Sequence, residues 1–181
     1  MKTVFKRSAI EKEFSYVCEN PSVRISLTDF FMEAGFQDSG NIQEKYEFYA
    51  GAIKLVNFIK LISDVINEET VFAGSFIKHQ KNYYEWKNIK KFDAYNNLRE
   101  NLGQNEIKNI SIVNSNFVDL IVECNLRYFS RIMLYFPDNR IFIRPDVHCY
   151  LEVYGSTEQL KNLCSLLQQK ANSEYIIEYD V

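Results

Sequence analysis

The sequence predicts an α+β fold, in which a helical N-terminal half packs on a mainly antiparallel sheet. Residues 42–67 repeat apolar side chains at helical spacing, whereas from residue 107 onwards short runs rich in branched and aromatic residues alternate with turn residues. A capped helix at 157–171 lies between two such runs, which predicts a C-terminal strand–helix–strand unit.

Length and composition are those of one globular domain. The 181 residues, 46% of them hydrophobic, are enough to bury a self-sufficient core. We expect a single domain over 1–181, with 1–105 as a mainly helical layer and 106–181 as a mainly sheet layer. The N-terminus lacks the apolar stretch of a signal peptide, and the chain lacks a run long enough to span a membrane, so a cytoplasmic location is expected.

The first third of the chain reads as two short strands followed by two helices. "FSYVC" and "VRISL" are β-like runs on either side of a turn-type cluster, and "DFFMEAG" has the composition of a brief helix. The helix at 42–67 is the most clearly marked, because one apolar stripe runs along it at spacings of three and four. That stripe comprises Phe48, Ala52, Leu55, Ile59, Ile62 and Ile66.

The middle of the chain is harder to interpret. "TVFAGSFIK" at 70–78 is typical of a strand, and 83–101 has helical spacing that ends near Gly103. Residues 116–136 fit either strands or a helix with Phe117, Ile121 and Cys124 on one face; we favour strands, because the turn at 137–139 requires a strand before it.

The last third reads as strands around one helix. Strands are predicted in "IKNISIV", "SRIMLYF", "RIFIR", "VHCYLEVY" and "YIIEYDV". Ser156 and Gln159 have the spacing of a capping box at the start of the 157–171 helix. Leu160, Leu163, Cys164 and Leu167 form its buried stripe, so we expect Cys164 in the core.

The stretch "RPDVHCYLEVYG" raises the question of a reactive His148–Cys149 pair. Successive side chains of a strand point to opposite faces, so Cys149 belongs with Leu151 and Val153 in the core, and His148 lies on the other face. We expect the "RIFIR" and "VHCYLEVY" strands to pair directly. A three-residue loop at 145–147 would then place Arg144 opposite His148, Phe142 opposite Tyr150 and Arg140 opposite Glu152. The resulting outward surface comprises Arg140, Phe142, Arg144, His148, Tyr150, Glu152 and Tyr154.

This surface has three interpretations. It is a plain solvated sheet face, a partner-binding surface rich in the Tyr and Arg of interface hot spots, or the site of an enzyme that uses His148 and Glu152 as acid–base groups. A separate basic and aromatic segment at 78–91 suggests a nucleic-acid accessory role, although the net charge of −3 argues against nucleic-acid binding.

The pattern as a whole favours a binding protein without catalysis. Phosphate-binding loops, zinc-protease and serine-hydrolase motifs are absent from the sequence, so we expect no cofactor, no metal and no catalytic residue. The small acidic chain and its many aromatic residues indicate a bacterial inhibitor of the immunity-protein kind. Its expected partner is a toxin or nuclease domain with a basic binding surface.

Overall fold

The described part of the protein contains five helices and seven strands, given by a computed structural model. The structure describes residues 6–17, 22–27, 40–74, 93–102, 107–113, 116–127, 130–170 and 175–179. In chain order the elements are α1 (Arg7–Val17), β1 (Ser22–Leu27), α2 (Ile42–Ile66), β2 (Thr70–Gly74), α3 (Asp93–Leu102), β3 (Ile107–Ser111), α4 (Phe117–Leu126), β4 (Met133–Phe136), β5 (Ile141–Pro145), β6 (Tyr150–Tyr154), α5 (Thr157–Lys170) and β7 (Tyr175–Tyr179).

The seven strands form one sheet in the order β3-β2-β4-β5-β6-β1-β7. Every neighbouring pair is antiparallel. The α+β fold class is therefore confirmed. Because β6 and β7 both run antiparallel to β1, which lies between them, β6–α5–β7 is a crossover that spans one strand.

The main core lies between one face of the sheet and helices α2, α4 and α5. Helix α2 contacts both α4 and α5, and α3 contacts α4. Alternate residues of β1 and β6 point into this core, as do the buried stripes of α2 and α5, which confirms the predicted core positions of Cys149 and Cys164. The predicted capping box is also present: Ser156 N–H donates to Gln159 Oε1 at 2.8 Å, and Gln159 N–H donates to Ser156 Oγ at 3.3 Å.

Two strand predictions are wrong. Residues 117–126 form helix α4 and not a strand, so the helical alternative for this segment was the better one. Seven of the ten residues of α4 are buried, and its polar side is narrow, with only Asp119 and Glu123, so its periodicity separates a helix from a strand weakly. The part of "FSYVC" over 14–17 ends helix α1, which packs on the sheet through Ile10 and Phe14.

Several other predictions match the structure where it describes them. All seven strands lie within or close to the runs that the sequence marks as strands. Helix α2 covers 42–66 of the predicted 42–67. Helix α3 begins at Asp93, within the predicted 83–101. The "DFFMEAG" segment and the basic segment at 78–91 lie outside the described residues.

Candidate binding surface on the sheet

The described residues cover the second face of the sheet over only part of its width. Helix α1 lies across β2, β4 and β5, where Ile10 and Phe14 pack against a small second core. That core contains Phe72, Met133, Tyr135 and Phe142. The remaining side chains of this face, on β6, β1 and β7, are partly or largely exposed.

Three residues of the predicted surface contact α1: Phe142, Arg140 and Tyr154, whose ring lies 5.7 Å from that of Phe14. Phe142 is fully buried, stacks on Tyr135 with ring centroids 4.2 Å apart and meets Phe14 edge-on at 5.1 Å, so the prediction that it faces outward is wrong. Its position on the second face was predicted correctly, but the helix that covers it was not. Arg140 lies in the β4–β5 turn and forms a bidentate pair with Glu13 of α1, with both N–O distances at 2.7 Å.

The pairing of β5 with β6 differs from the predicted register by four residues, because the partner of Arg144 is Glu152 and not His148. Pro145 is opposite Leu151, and Asp146 N–H donates to Tyr150 O at 2.9 Å, so the loop comprises residues 147–149 and not 145–147. Its length of three residues was predicted correctly. Arg144 is therefore opposite Glu152, and Phe142 is opposite Tyr154.

This register brings six side chains together on the open part of the second face. We call them the sheet cluster: Arg24, Arg144, Asp146, Tyr150, Glu152 and Tyr154. The guanidinium of Arg144 pairs closely with Glu152 Oε2 and lies 3.7 Å from Asp146 Oδ2. Tyr154 donates its hydroxyl to the same Glu152 oxygen at 2.5 Å.

Arg24 completes the cluster from β1. Its guanidinium carbon lies 4.5 Å from the centre of the Tyr150 ring, which is cation–π geometry. Arg24 is also opposite Glu152 on β6 and Glu178 on β7, so charges alternate across four strands from Arg144 to Glu178. The period of two in "SVRISL" places Arg24 on this face, but only strand order shows its neighbours.

Burial and neighbouring charges hold these groups in fixed protonation states. Burial and the nearby Asp146 and Glu152 raise the pKa of Tyr150 to about 12. Burial by itself lowers the pKa of Arg144, but Tyr154, Glu152 and Asp146 outweigh it, and the net shift is upward. Arg144 is therefore cationic and Tyr150 is neutral at physiological pH.

The cluster also contains two polar groups that lack partners. Among the described residues, the buried side-chain nitrogens and oxygens with no hydrogen-bond partner are Arg24 Nε and Arg144 Nε. A buried donor of this kind costs about 1–3 kcal/mol. The chain therefore holds this pair of arginines in place at a cost to stability.

His148 and Cys149 do not form a reactive pair. His148 is exposed in the 147–149 loop, where its N–H donates to Asp146 Oδ1 at 3.1 Å and its ring lies 6.3 Å from that of Tyr150. Cys149 is buried on the core side, and burial raises the pKa of its thiol to about 12. Its backbone is left-handed, with φ of 62°, which turns the chain from the loop into β6.

Comparisons of the chain with known protein families, with curated proteins and with solved structures found no match. Among the described residues, no three His, Cys, Asp or Glu side chains are grouped as ligands for a metal ion. No helix in the described ranges has both the length and the apolar character needed to cross a bilayer.

Proposed function

We propose that this protein is a non-catalytic interaction module, and specifically a bacterial immunity protein that binds and neutralises a toxin or nuclease domain. The sheet cluster is the contact surface in this proposal. The observation that carries it is the ordered set of arginine, tyrosine and glutamate side chains on the open part of the sheet. Of the residues predicted from sequence, Arg144, His148, Tyr150, Glu152 and Tyr154 belong to this surface or border it.

The geometry of the cluster favours binding because its side chains are already held in place. Arg144 is fixed by Glu152 and Asp146, and Arg24 is fixed over Tyr150. Immobilising a long side chain at an interface costs about 0.5–1.5 kcal/mol, and a side chain that is already ordered avoids most of that cost. Tyrosine and arginine are also the residues on which binding energy concentrates at interfaces.

Charge favours a basic partner. The cluster together with Glu178 has two arginines and three carboxylates, which leaves an excess of one negative charge, and the whole chain has a net charge of −3. An acidic surface attracts a basic cleft over several ångströms and increases the association rate, an effect that salt screens. Nuclease and toxin domains that bind nucleic acid present clefts of this kind.

The contacts of Glu152 argue against the alternative of an enzyme that uses His148 and Glu152. Oε2 of Glu152 already accepts from both Arg144 and Tyr154, so this oxygen is engaged by cluster neighbours. A general base needs an oxygen within reach of the substrate's proton. A structural and binding role for Glu152 accounts for these contacts without a substrate.

The test uses a toxin or nuclease domain encoded beside this gene in its source genome. Co-expression of the two chains should restore growth, and the purified pair should bind with an affinity that falls as salt rises. Tyr150→Ala and Arg24→Ala should each weaken binding at least 10-fold, since both remove a central anchor. Lys161→Ala, on the exposed side of α5, is the matched control and should bind like the wild type.

Two results would contradict the proposal. One is a neighbouring gene product that is neither toxic nor bound by this chain. The other is full affinity in the folded Tyr150→Ala and Arg24→Ala proteins, which would place the contact surface elsewhere. His148→Ala adds a separate readout, because an enzyme would lose turnover where a binding surface would lose only affinity.

A further inference from the structure

The outward side of helix α2 carries a stripe of large apolar side chains. Ile42 is 84% exposed, Tyr46 68%, Tyr49 46% and Ile53 61%. They recur at spacings of four, three and four, so they lie on one side of the helix. We call them the α2 stripe.

The α2 stripe lies opposite the buried side of its helix. Phe48, Leu55, Ile59 and Ile62 point into the main core, and the stripe points away from the sheet. Further along the same outward side the residues become polar, with Asn57, Lys60 and Asp64. The apolar surface is therefore bounded, as surfaces that bind a partner are.

The order of residues along the stripe is the same in both directions. Read forwards or backwards, it is Ile, Tyr, Tyr, Ile with spacings of four, three and four. That spacing is the seam of two helices packed knobs-into-holes. In a two-fold antiparallel pair, Ile42 meets Ile53 of the second copy, and Tyr46 meets Tyr49 of the second copy.

We propose that the α2 stripe is a homodimer interface, in which a second copy of this chain packs its own α2 antiparallel to the first. A surface that contacts an identical surface through a two-fold axis must be self-complementary. The order of the stripe lets all four side chains meet across such an axis, isoleucine with isoleucine and tyrosine with tyrosine.

The residues beside the stripe allow the same register. Glu44 and Glu47 project away from the seam, and Phe48 and Gly51 are buried in this chain's own core, so none of these four residues meets the second copy. Small side chains border the seam instead: Ala50 and Ala52 lie on its two sides and leave room for the close approach of a second helix.

Contacts beneath the stripe hold it in shape before a second copy binds. The hydroxyl of Tyr49 accepts a hydrogen bond from Arg127 Nη2 at 3.1 Å, and the Tyr49 ring meets Phe48 edge-on at 5.2 Å. Arg127 is in turn paired with Glu123 at 2.9 Å. Tyr49 therefore loses little rotamer freedom on dimerisation.

Dimerisation through α2 leaves the sheet cluster accessible. The stripe faces away from the main core on the helical side, whereas the sheet cluster lies on the other face of the sheet. The dimer therefore presents two copies of the sheet cluster on its outer sides. This inference stands whether or not the sheet cluster binds a toxin.

Sedimentation over a concentration series tests the dimer. Four anchors per copy make a small interface, so we expect a reversible monomer–dimer equilibrium in the micromolar range. Ile53→Lys should raise the dimer dissociation constant at least 10-fold. Ile176→Lys is the control, because Ile176 is 45% exposed on β7, away from the stripe, and this variant should dimerise like the wild type.

Cysteine cross-linking tests the register. An equimolar mixture of the Ile42→Cys and Ile53→Cys proteins should form a disulfide-linked heterodimer on mild oxidation, and neither variant alone should cross-link to the same extent. The wild-type chain under the same conditions gives the background from its native thiols. A parallel pair would instead cross-link the Ile42→Cys protein to itself.

Three results would overturn the proposal. They are a wild-type chain that stays monomeric up to millimolar concentration, a dimer unaffected by Ile53→Lys, and cross-links of the Ile42→Cys protein only to itself. Circular dichroism of each variant confirms its fold, so that loss of the dimer is not loss of structure.

Discussion

The carboxylate of Glu68 is a buried charged group whose contacts all lead to one turn. It is 6% exposed and accepts from Asp138 N–H at 2.9 Å, from Asn139 N–H at 3.1 Å and from Asn139 Nδ2 at 2.9 Å. These bonds satisfy donors that the four-residue β4–β5 turn leaves without a strand partner. Glu68 therefore fixes the hairpin that brings β5 beside β4.

Glu68→Ala should destabilise the protein by about 2–3 kcal/mol, because it leaves charge-assisted donors of a partly buried turn without an acceptor. Urea unfolding should show a lower midpoint with an unchanged slope. Glu69→Ala is the matched control, since Glu69 is exposed and the bond it accepts from Ile112 N–H uses its main-chain oxygen. Equal midpoints for the two variants would contradict this role of Glu68.

The described cysteines should make stability depend on alkaline pH. Burial raises the pKa of Cys124 and of Cys149 from 9.0 to about 12. The unfolded chain therefore loses these protons first, so their contribution to stability is complete below pH 9 and is lost as pH rises towards 12. Between these limits each thiol lowers the free energy of unfolding by about 1.4 kcal/mol per pH unit.

Cys149→Ala tests this linkage. Above pH 9 the free energy of unfolding of the variant should fall less steeply with pH than that of the wild type. The difference in slope should approach the contribution of one thiol, about 1.4 kcal/mol per pH unit. Alanine keeps a Cβ at the left-handed position, so the backbone strain at φ 62° is common to both proteins. Parallel pH profiles would show that the Cys149 thiol keeps its ordinary pKa.

At this scale, periodicity predicted which apolar side chains are buried but not which polar ones are. Cys149, Cys164 and the Ser156–Gln159 capping box follow from patterns a few residues long. Asn125 was not predicted: its side chain donates to Ile132 O at 2.8 Å and to Pro145 O at 3.0 Å. Bonds to main-chain groups up to twenty residues away leave no local spacing signal.

Helix α1 determines how much of the second sheet face is open. Phe14 is 6% exposed and contacts the rings of Phe142 at 5.1 Å and Tyr154 at 5.7 Å. Arg140 ties the same helix to the β4–β5 turn through Glu13. The contacts of α1 therefore lie beside the sheet cluster, because Tyr154 belongs to both.

Phe14→Ala should destabilise the protein by about 3 kcal/mol, through lost burial and the cavity left against Phe142. Hydrogen exchange should become faster in residues 7–17, and Phe142 should become accessible to an apolar dye. Ser15→Ala is the control: Ser15 is exposed and its Oγ donates to Glu11 O within α1, so this change should alter stability by less than about 0.5 kcal/mol. Unchanged protection of 7–17 in Phe14→Ala would show that other contacts hold α1 in place.

At the level of elements, the sequence predicted structure best where one face of an element is polar. Helices α2 and α5 were predicted correctly because their periodicity is visible, whereas α4 has only a narrow polar side at Asp119 and Glu123 and resembled a strand. The β5–β6 register shows a similar limit. The sequence predicted which side chains of β5 and β6 share a face and that the loop has three residues. It did not predict the position of the loop, which depends on the hydrogen bond from Asp146 N–H to Tyr150 O.

At the level of the whole molecule, the two halves of the chain share one sheet. β1 pairs with β6 and β7, and β2 pairs with β3 and β4. Every described partner of the first-half strands therefore lies beyond residue 106. Strand order of this kind depends on long-range packing, so the sequence predicted helices on a sheet without predicting that the sheet cluster takes Arg24 from the first half.

Separating the chain into residues 1–105 and 106–181 should abolish folding of both pieces. Strands β1 and β2 would lose all their described partners, and in the second piece β7 would lose its only described neighbour and β3 would be cut off from β4. Each piece alone should show no cooperative thermal transition by circular dichroism, whereas the intact chain should unfold in one step, as one domain does. A mixture of the two pieces should regain part of the native signal, because the missing strands are supplied in trans. A cooperative transition in either piece alone would mean that the chain contains an independent folding unit, and the expectation of a single domain over 1–181 would then be wrong.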